Sequence, residues 1–186
     1  MASGRIALGS DHAGFSLKGN IATYIKGLGY EILDLGPHSA EPVDFPDYAE
    51  AVGHAILRGE AMRGILICGS GVGVSVAANK IPGIWAALCH DIYSAHQSVE
   101  HDDANVLALG AQVVGPAVAH ELVRAFLEAR FSGKENHRRR VEKIKAMEER
   151  FAAGLRIRQS KKNNSVSHTG RKVDLKVRSR GQFVGK

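Results

Sequence analysis

A chain of 186 residues, 44% hydrophobic and 24% charged, is sized and composed for one globular domain plus an extension, which excludes a multi-domain enzyme and a fibrous protein. The formal net charge of +6 is unevenly spread: residues 151–186 hold ten Lys/Arg against one acidic residue, Asp174, while the first 150 residues hold 15 basic and 18 acidic groups. No apolar run reaches membrane-spanning length and the first residues lack the three regions of a secretory signal, so a cytoplasmic location without a membrane partner is expected.

The apolar run at 5–9 predicts a buried strand, and the amphipathic stretch at 13–28 a helix after it. Runs at 31–36, 64–68, 85–89 and 105–110 predict four more strands, with helices at 47–59, 72–80, 91–100 and 116–130. Such alternation implies a three-layer, Rossmann-like α/β domain: a five-stranded parallel sheet, helices on both faces, and a strand order resembling 2-1-3-4-5. A last, highly charged helix over about 134–152 repeats apolar residues at Val141, Ile144, Met147 and Phe151, a stripe suited to a two-fold dimer contact. The chain then divides into a domain at 1–153 and a basic tail at 154–186, expected to be disordered because it lacks apolar periodicity. Nucleic acid is expected as a partner only through that tail, and a solvated extension is the preferred reading of it.

In a sheet of this kind the ligand lies beyond the carboxyl ends of the strands, where strand order reverses. Gly69-Ser70-Gly71-Val72-Gly73 links a strand to a helix there, either as an anion-binding turn or as a tight turn that needs small residues. The P-loop spacing is absent, and the run misses the dinucleotide fingerprint by one residue. Cys68 ends the strand before that turn, where N–H donors favour a thiolate able to act as base or nucleophile, whereas Cys89 reads as a core residue inside an apolar run. Two cysteines 21 residues apart make no disulfide framework and fit no zinc pair, so both thiols are expected to be reduced. Asp11 and His12 follow the first strand, and His101, Asp102 and Asp103 precede the fifth, so that all could approach one rim of the sheet. The spacing of His90, His96 and His101 does not suit a metal site, and neither metal nor cofactor is expected.

Gly9-Ser10-Asp11-His12-Ala13-Gly14, the run from Cys68 to Lys80, Ala86-Ala87-Leu88-Cys89-His90-Asp91, Asp103-Ala104-Asn105-Val106-Leu107 and Arg140-Val141-Glu142-Lys143-Ile144 together resemble the type B ribose-5-phosphate isomerases. Their superfamily also holds galactose-6-phosphate isomerase subunits. The likeness runs in order from about residue 4 to 150 and leaves the tail outside. It implies an aldose–ketose isomerase of carbohydrate metabolism, at the pentose phosphate pathway, that works through an enediol(ate) on ribose 5-phosphate or a related phosphosugar. In that scheme Cys68 is the base, Ser70 the relay between the two oxygens, and Asp11 and His101 handle the sugar ring and its opening. Gly69, Gly71 and Gly73 meet the oxyanion, His12 and Arg140 bind phosphate with Asn136 in place of a second arginine, and Asp102 follows the ring-opening histidine. The family implies a homodimer with shared sites, His101 and the C-terminal helix coming from the partner chain.

The sequence departs from the family at Phe45, where a tyrosine is usual, and at Trp85, Val99 and Asn136, where arginines are usual. Asp102 stands where asparagine is usual, placing a carboxylate near a developing negative charge. Losing a guanidinium removes a charge-assisted contact to phosphate. The alternatives are therefore an isomerase of a non-phosphorylated or differently charged sugar, and a catalytically silent binding protein that uses its tail for nucleic acid.

Overall fold

The computed structural model describes residues 4–169, with side chains described through residue 153. The chain parts into two units, Met1–Met147 and Glu148–Lys186. In the first, strands and helices alternate: β1 (Arg5–Ser10), α1 (Phe15–Gly27), β2 (Glu31–Asp34), α2 (Phe45–Leu57), β3 (Arg63–Cys68), α3 (Val72–Ala78), β4 (Ala86–Leu88), α4 (Ile92–Asp102), β5 (Val106–Gly110) and α5 (Pro116–Glu128). A sixth helix, α6 (Glu135–Thr169), begins in the first unit and forms the described part of the second.

All five strands are parallel, and their two-residue pleat sorts the core into two layers. Ile6, Leu8, Ile65, Ile67, Leu107 and Leu109 pack with Ile21 and Ile25 of α1 and Leu122 and Phe126 of α5 on one face. Ala7, Leu66, Cys68, Val106 and Ala108 meet Val52 of α2 and Val74 of α3 on the other. Each fully buried large apolar side chain contributes roughly 1.5–3 kcal/mol, so burial on both faces fixes the central strands. The two cysteines thereby fall in different layers, Cys68 toward α2 and α3 and Cys89 in the opposite one.

The sheet order is β2-β1-β3-β5-β4, not 2-1-3-4-5. Burial explains the exchange. Every residue of β5 is buried, and it pairs with β3 on one side and β4 on the other, whereas none of the three residues of β4 is buried, Leu88 being exposed, and they form an edge. The last helix also runs farther than the expected end near 152, continuing to Thr169. Past Gly154, residues 155–169 contain no proline or glycine, and the Leu, Arg, Gln and Lys residues of 155–162 favour helix, so propensity supports continuation through that stretch where apolar periodicity gives no signal. Residues 170–186 of the expected tail lie outside the described residues. Among the described residues no helix is long and apolar enough to cross a membrane.

Candidate active site

The chain leaves β1 toward β2 on one side and returns to β3 on the other, so the carboxyl ends of β1 and β3 flank a reversal of strand order. There the buried Asp11 donates its N–H to Ile67 O (3.1 Å), and its Oδ1 accepts the Gly14 N–H (2.9 Å). A Cβ on Gly14 would lie 2.6 Å from Ile67 O, so glycine allows this close approach of loop to strand. His12 Nδ1 accepts the Val43 N–H (3.3 Å), which leaves the ring proton on Nε2.

Cys68 closes β3 with 4% of its surface exposed, and its Sγ accepts the Gly71 N–H at 3.1 Å. That donor is aimed where a thiolate would need it. Gly71 adopts φ +80° at the start of α3, and a Cβ there would lie 2.5 Å from Leu88 Cδ1 and 2.8 Å from the Leu109 carbonyl carbon, so glycine is required twice over. Ser70 Oγ accepts the Val72 N–H (3.3 Å), leaving its own O–H to donate elsewhere. The tip of the Phe45 ring lies against Gly73, its Cζ 3.0 Å from where a Cβ would stand. Asp11, His12, Cys68, Ser70 and the glycine turn therefore share one rim.

His101 and Asp102 do not join them. Helix α4 runs back from β4 toward the start of β5, and Asn105 O, just beyond its end, accepts the Gly64 N–H beside the start of β3. His101 and Asp102 thus sit at the amino ends of the strands, on the order of 15 Å from Cys68 along β5. The expectation that all these groups approach one rim fails within a single chain, because a helix between parallel strands must carry the chain back across the sheet.

A second cluster forms at those amino ends. His101 Nδ1 pairs with Gln97 Nε2 (2.9 Å), which also reaches Asp102 Oδ2 (3.4 Å), and the His101 ring lies 4.1 Å from that of His137. His137 is buried with its Nδ1 2.7 Å from Ser132 Oγ. Desolvation first, then the neighbouring His101, Lys134 and Arg140, hold its pKa below the ordinary imidazole value, with Glu100 opposing. His137 and Val141 anchor α6, and this turns Asn136 and Arg140, also four residues apart, outward together. Among the described residues Arg140 has no carboxylate partner, whereas Arg138 is held by Gly133 O (2.7 Å). Asp102 and Trp85 share a cleft of about 250 Å³ with Asn79, Ser98 and Ile144. Val99, by contrast, is core.

One rim residue, Gln112, escaped the sequence reading, and a second, His90, was weighed there only as a metal ligand. Gln112 lies over Gly69, where a Cβ would stand 3.4 Å from its amide, and its N–H donates to Gly69 O (2.9 Å). His90 Nε2 accepts the Gly110 N–H (3.1 Å). Both follow strand ends, so position relative to the strands was the available signal. Among the described residues no three His, Cys, Asp or Glu side chains gather as a metal ion would need.

The sequence pattern of the ribose/galactose isomerase family matches residues 6–144. Ribose-5-phosphate isomerase B of Escherichia coli is 48% identical over 146 residues, covering 78% of this chain and 97% of that protein. A D-erythrulose-4-phosphate isomerase of Pectobacterium atrosepticum is 44% identical over 130 residues, 69% of this chain and 85% of its own. Among solved structures, Clostridium thermocellum ribose-5-phosphate isomerase B superposes with a TM-score of 0.77 at 49% identity, covering 79% of this chain and 99% of that one. The Trypanosoma brucei type B ribose 5-phosphate isomerase gives 0.76 at 49% identity, with 78% and 99% covered.

Proposed function

The chain belongs to the ribose/galactose isomerase family, and we propose that it interconverts an aldose phosphate and a ketose phosphate of four or five carbons, with ribose 5-phosphate and ribulose 5-phosphate as the first pair to test. The observation that carries this reading is the Cys68 sulfur facing the Gly71 N–H, with the Ser70 hydroxyl two residues on, at the reversal of strand order. Cys68 as thiolate takes the C2 proton of the open-chain aldose, and the electron pair moves onto O1 to give an enediolate. N–H groups of the Gly69–Gly73 turn stabilise that charge, Ser70 carries a proton from O2 to O1, and Cys68 returns its proton to C1. Asp11 and His101 serve the opening of the ring, while His12, Arg140 and Asn136 meet the phosphate. The exposed guanidinium of Arg140, without a carboxylate partner among the described residues, favours a phosphorylated substrate over a neutral one.

A complete site needs both rims, so the functional unit is a two-fold dimer in which the partner's amino-rim cluster faces each Cys68. Exposed Val72, Val76, Leu88, Ile92 and Tyr93, together with the stripe of Ile144 and Met147 on α6, give a second copy apolar surface to cover. The catalytic domain is taken as residues 1–153 and residues 154–186 as a basic extension to it, acting in the cytoplasm with both thiols free.

The test is a panel of ribose, ribulose, erythrulose and galactose phosphates beside the free sugars, followed by NMR in D2O. Conversion of a phosphosugar with deuterium entering at C1 or C2 is the expected result. Turnover of free sugars with phosphosugars inert would replace the phosphate reading, and no exchange with any sugar would remove the isomerase reading.

A further inference from the structure

Lys18, the fourth residue of α1, has 2% of its surface exposed although its side chain is a cation. An unpaired ammonium at such a place is prohibitive, and even a paired one is commonly no more stabilising than an apolar side chain of equal volume. A buried charge therefore points to a role besides packing.

The hydrogen bonds around it close on themselves. Lys18 Nζ donates to Asp34 Oδ1 at 2.5 Å, and the same oxygen accepts the Gly36 N–H at 3.0 Å. Gly36 O accepts the Ser10 N–H at 3.0 Å. Ser10 is bonded covalently to Asp11, whose Oδ1 accepts the Gly14 N–H at 2.9 Å, and Gly14 O accepts the Lys18 N–H at 2.9 Å. The circuit thus runs Lys18, Asp34, Gly36, Ser10, Asp11, Gly14 and back. It leaves Asp11 Oδ2 without a partner among the described residues, free for substrate.

We infer that Lys18 and Asp34 form a positioning pair, remote from substrate, that orients Asp11 for opening the sugar ring. The inference rests on the isomerase reading above. Burial opposes the charged Asp34, but hydrogen bonds from Lys18 and Gly36 and the ammonium charge outweigh it and hold its carboxyl below the ordinary value. Asp34 borders a cleft of about 370 Å³ with Phe15, Ser16, Pro37 and His38, so its side of the pair can be altered without opening the core.

The two sugars separate a positioning role from a merely structural one. Ribose 5-phosphate closes a ring through O4 and must be opened, whereas ribulose 5-phosphate has its O5 blocked by phosphate and remains open-chain. In Lys18→Met and Asp34→Asn, conversion of ribose 5-phosphate should fall about 10- to 100-fold, the scale of a small misplacement, while deuterium exchange at C1 of ribulose 5-phosphate falls less than about threefold. Should Lys18→Met fail to fold, Asp34→Asn alone decides the question. Parallel loss of both rates, or no change in either, overturns the positioning role. A wild-type enzyme that performs neither conversion nor exchange overturns the isomerase reading, and this inference with it.

Discussion

At the carboxyl ends of the strands Asp11, His12, Cys68 and Ser70 each accept a main-chain N–H, whereas at the amino ends His101, Asp102 and His137 are held by side chains, and Arg140 by no carboxylate among the described residues. Main-chain donors are part of the fold and cannot be exchanged by substitution. Side-chain partners can. The departures implied by the family resemblance fall mostly on one side of this division: Trp85, Asp102 and Asn136 stand at the amino ends, Val99 is core, and Phe45 borders the glycine turn. The rim that holds the proposed base is thus tied to the backbone, while the rim proposed to bring Arg140 and Asn136 to the phosphate is free to vary.

The largest expected effect breaks the two rims apart. Cys68→Ala should lower turnover at least about a thousandfold, and His101→Ala by about a hundredfold, because the proposed base and the proposed ring opener act at different steps. If each site draws one rim from each subunit, mixing the two inactive variants after unfolding and refolding should restore about one quarter of wild-type activity: half the dimers are mixed, and each has one intact site. Steady-state assay of the mixture checks this, and a mixture no more active than its components would confine the site to a single chain.

The carboxyl rim was legible in the sequence because it is local. Cys68, Ser70 and the glycines lie within six residues, and the apolar run before them identifies a strand end. The amino rim was legible only through the family resemblance, since His101 and Arg140 are 39 positions apart and their place on one rim depends on how α4 and α6 meet, as the His101 and His137 rings do. The order of the last two strands escaped for a related reason. Their apolar runs look alike in sequence, and only pairing reveals that β5 is covered on both sides while β4 closes the sheet. The buried Lys18 gave no sequence signal at all, being one lysine in an amphipathic helix.

A smaller effect sharpens the assignment of phosphate to the amino rim. Arg140→Ala should raise KM for a phosphosugar about tenfold or more with a lesser change in kcat, and Asn136→Arg should lower KM by a similar factor, since a charged hydrogen bond contributes about 1.5–3 kcal/mol. Initial-rate kinetics on a phosphosugar and its free sugar decide the matter. An Asn136→Arg enzyme that gains nothing on the phosphosugar would place the anion elsewhere.

Acid should loosen the amino rim. The fold holds His137 below its ordinary pKa, so the stability it contributes is complete above about pH 6.5 and is lost as pH falls through its lowered value. Protonating it also places a charge 4.1 Å from the His101 ring, a neighbour that disfavours that charge. Urea unfolding midpoints should therefore drop between pH 7 and 5.5 in the wild type and drop less in His137→Gln. A His137→Gln curve parallel to the wild type would show that another group carries the acid sensitivity.

The smallest expected change separates the two cysteines, which lie in opposite layers of the same sheet. Burial, with the charge of Asp91 behind it, pushes the Cys89 thiol up to about 11, against a hydrogen bond with Ser98 that pulls it down. Nearly all of it is then thiol at neutral pH, and a thiol is a poor nucleophile. Cys89 should resist iodoacetamide at pH 8 while the protein is folded and react once it is unfolded. Cys89→Ala should keep turnover within about twofold and cost about 1 kcal/mol of stability, because it removes one atom from a packed layer and leaves a small cavity. Mass spectrometry of the alkylated protein, urea unfolding and the isomerase assay read these three outcomes. If Cys89→Ala lost activity as heavily as Cys68→Ala while melting normally, the layer facing α2 and α3 could no longer be singled out as the one that holds the base, and the division of labour between the two rims would have to be drawn again from Cys89 outward.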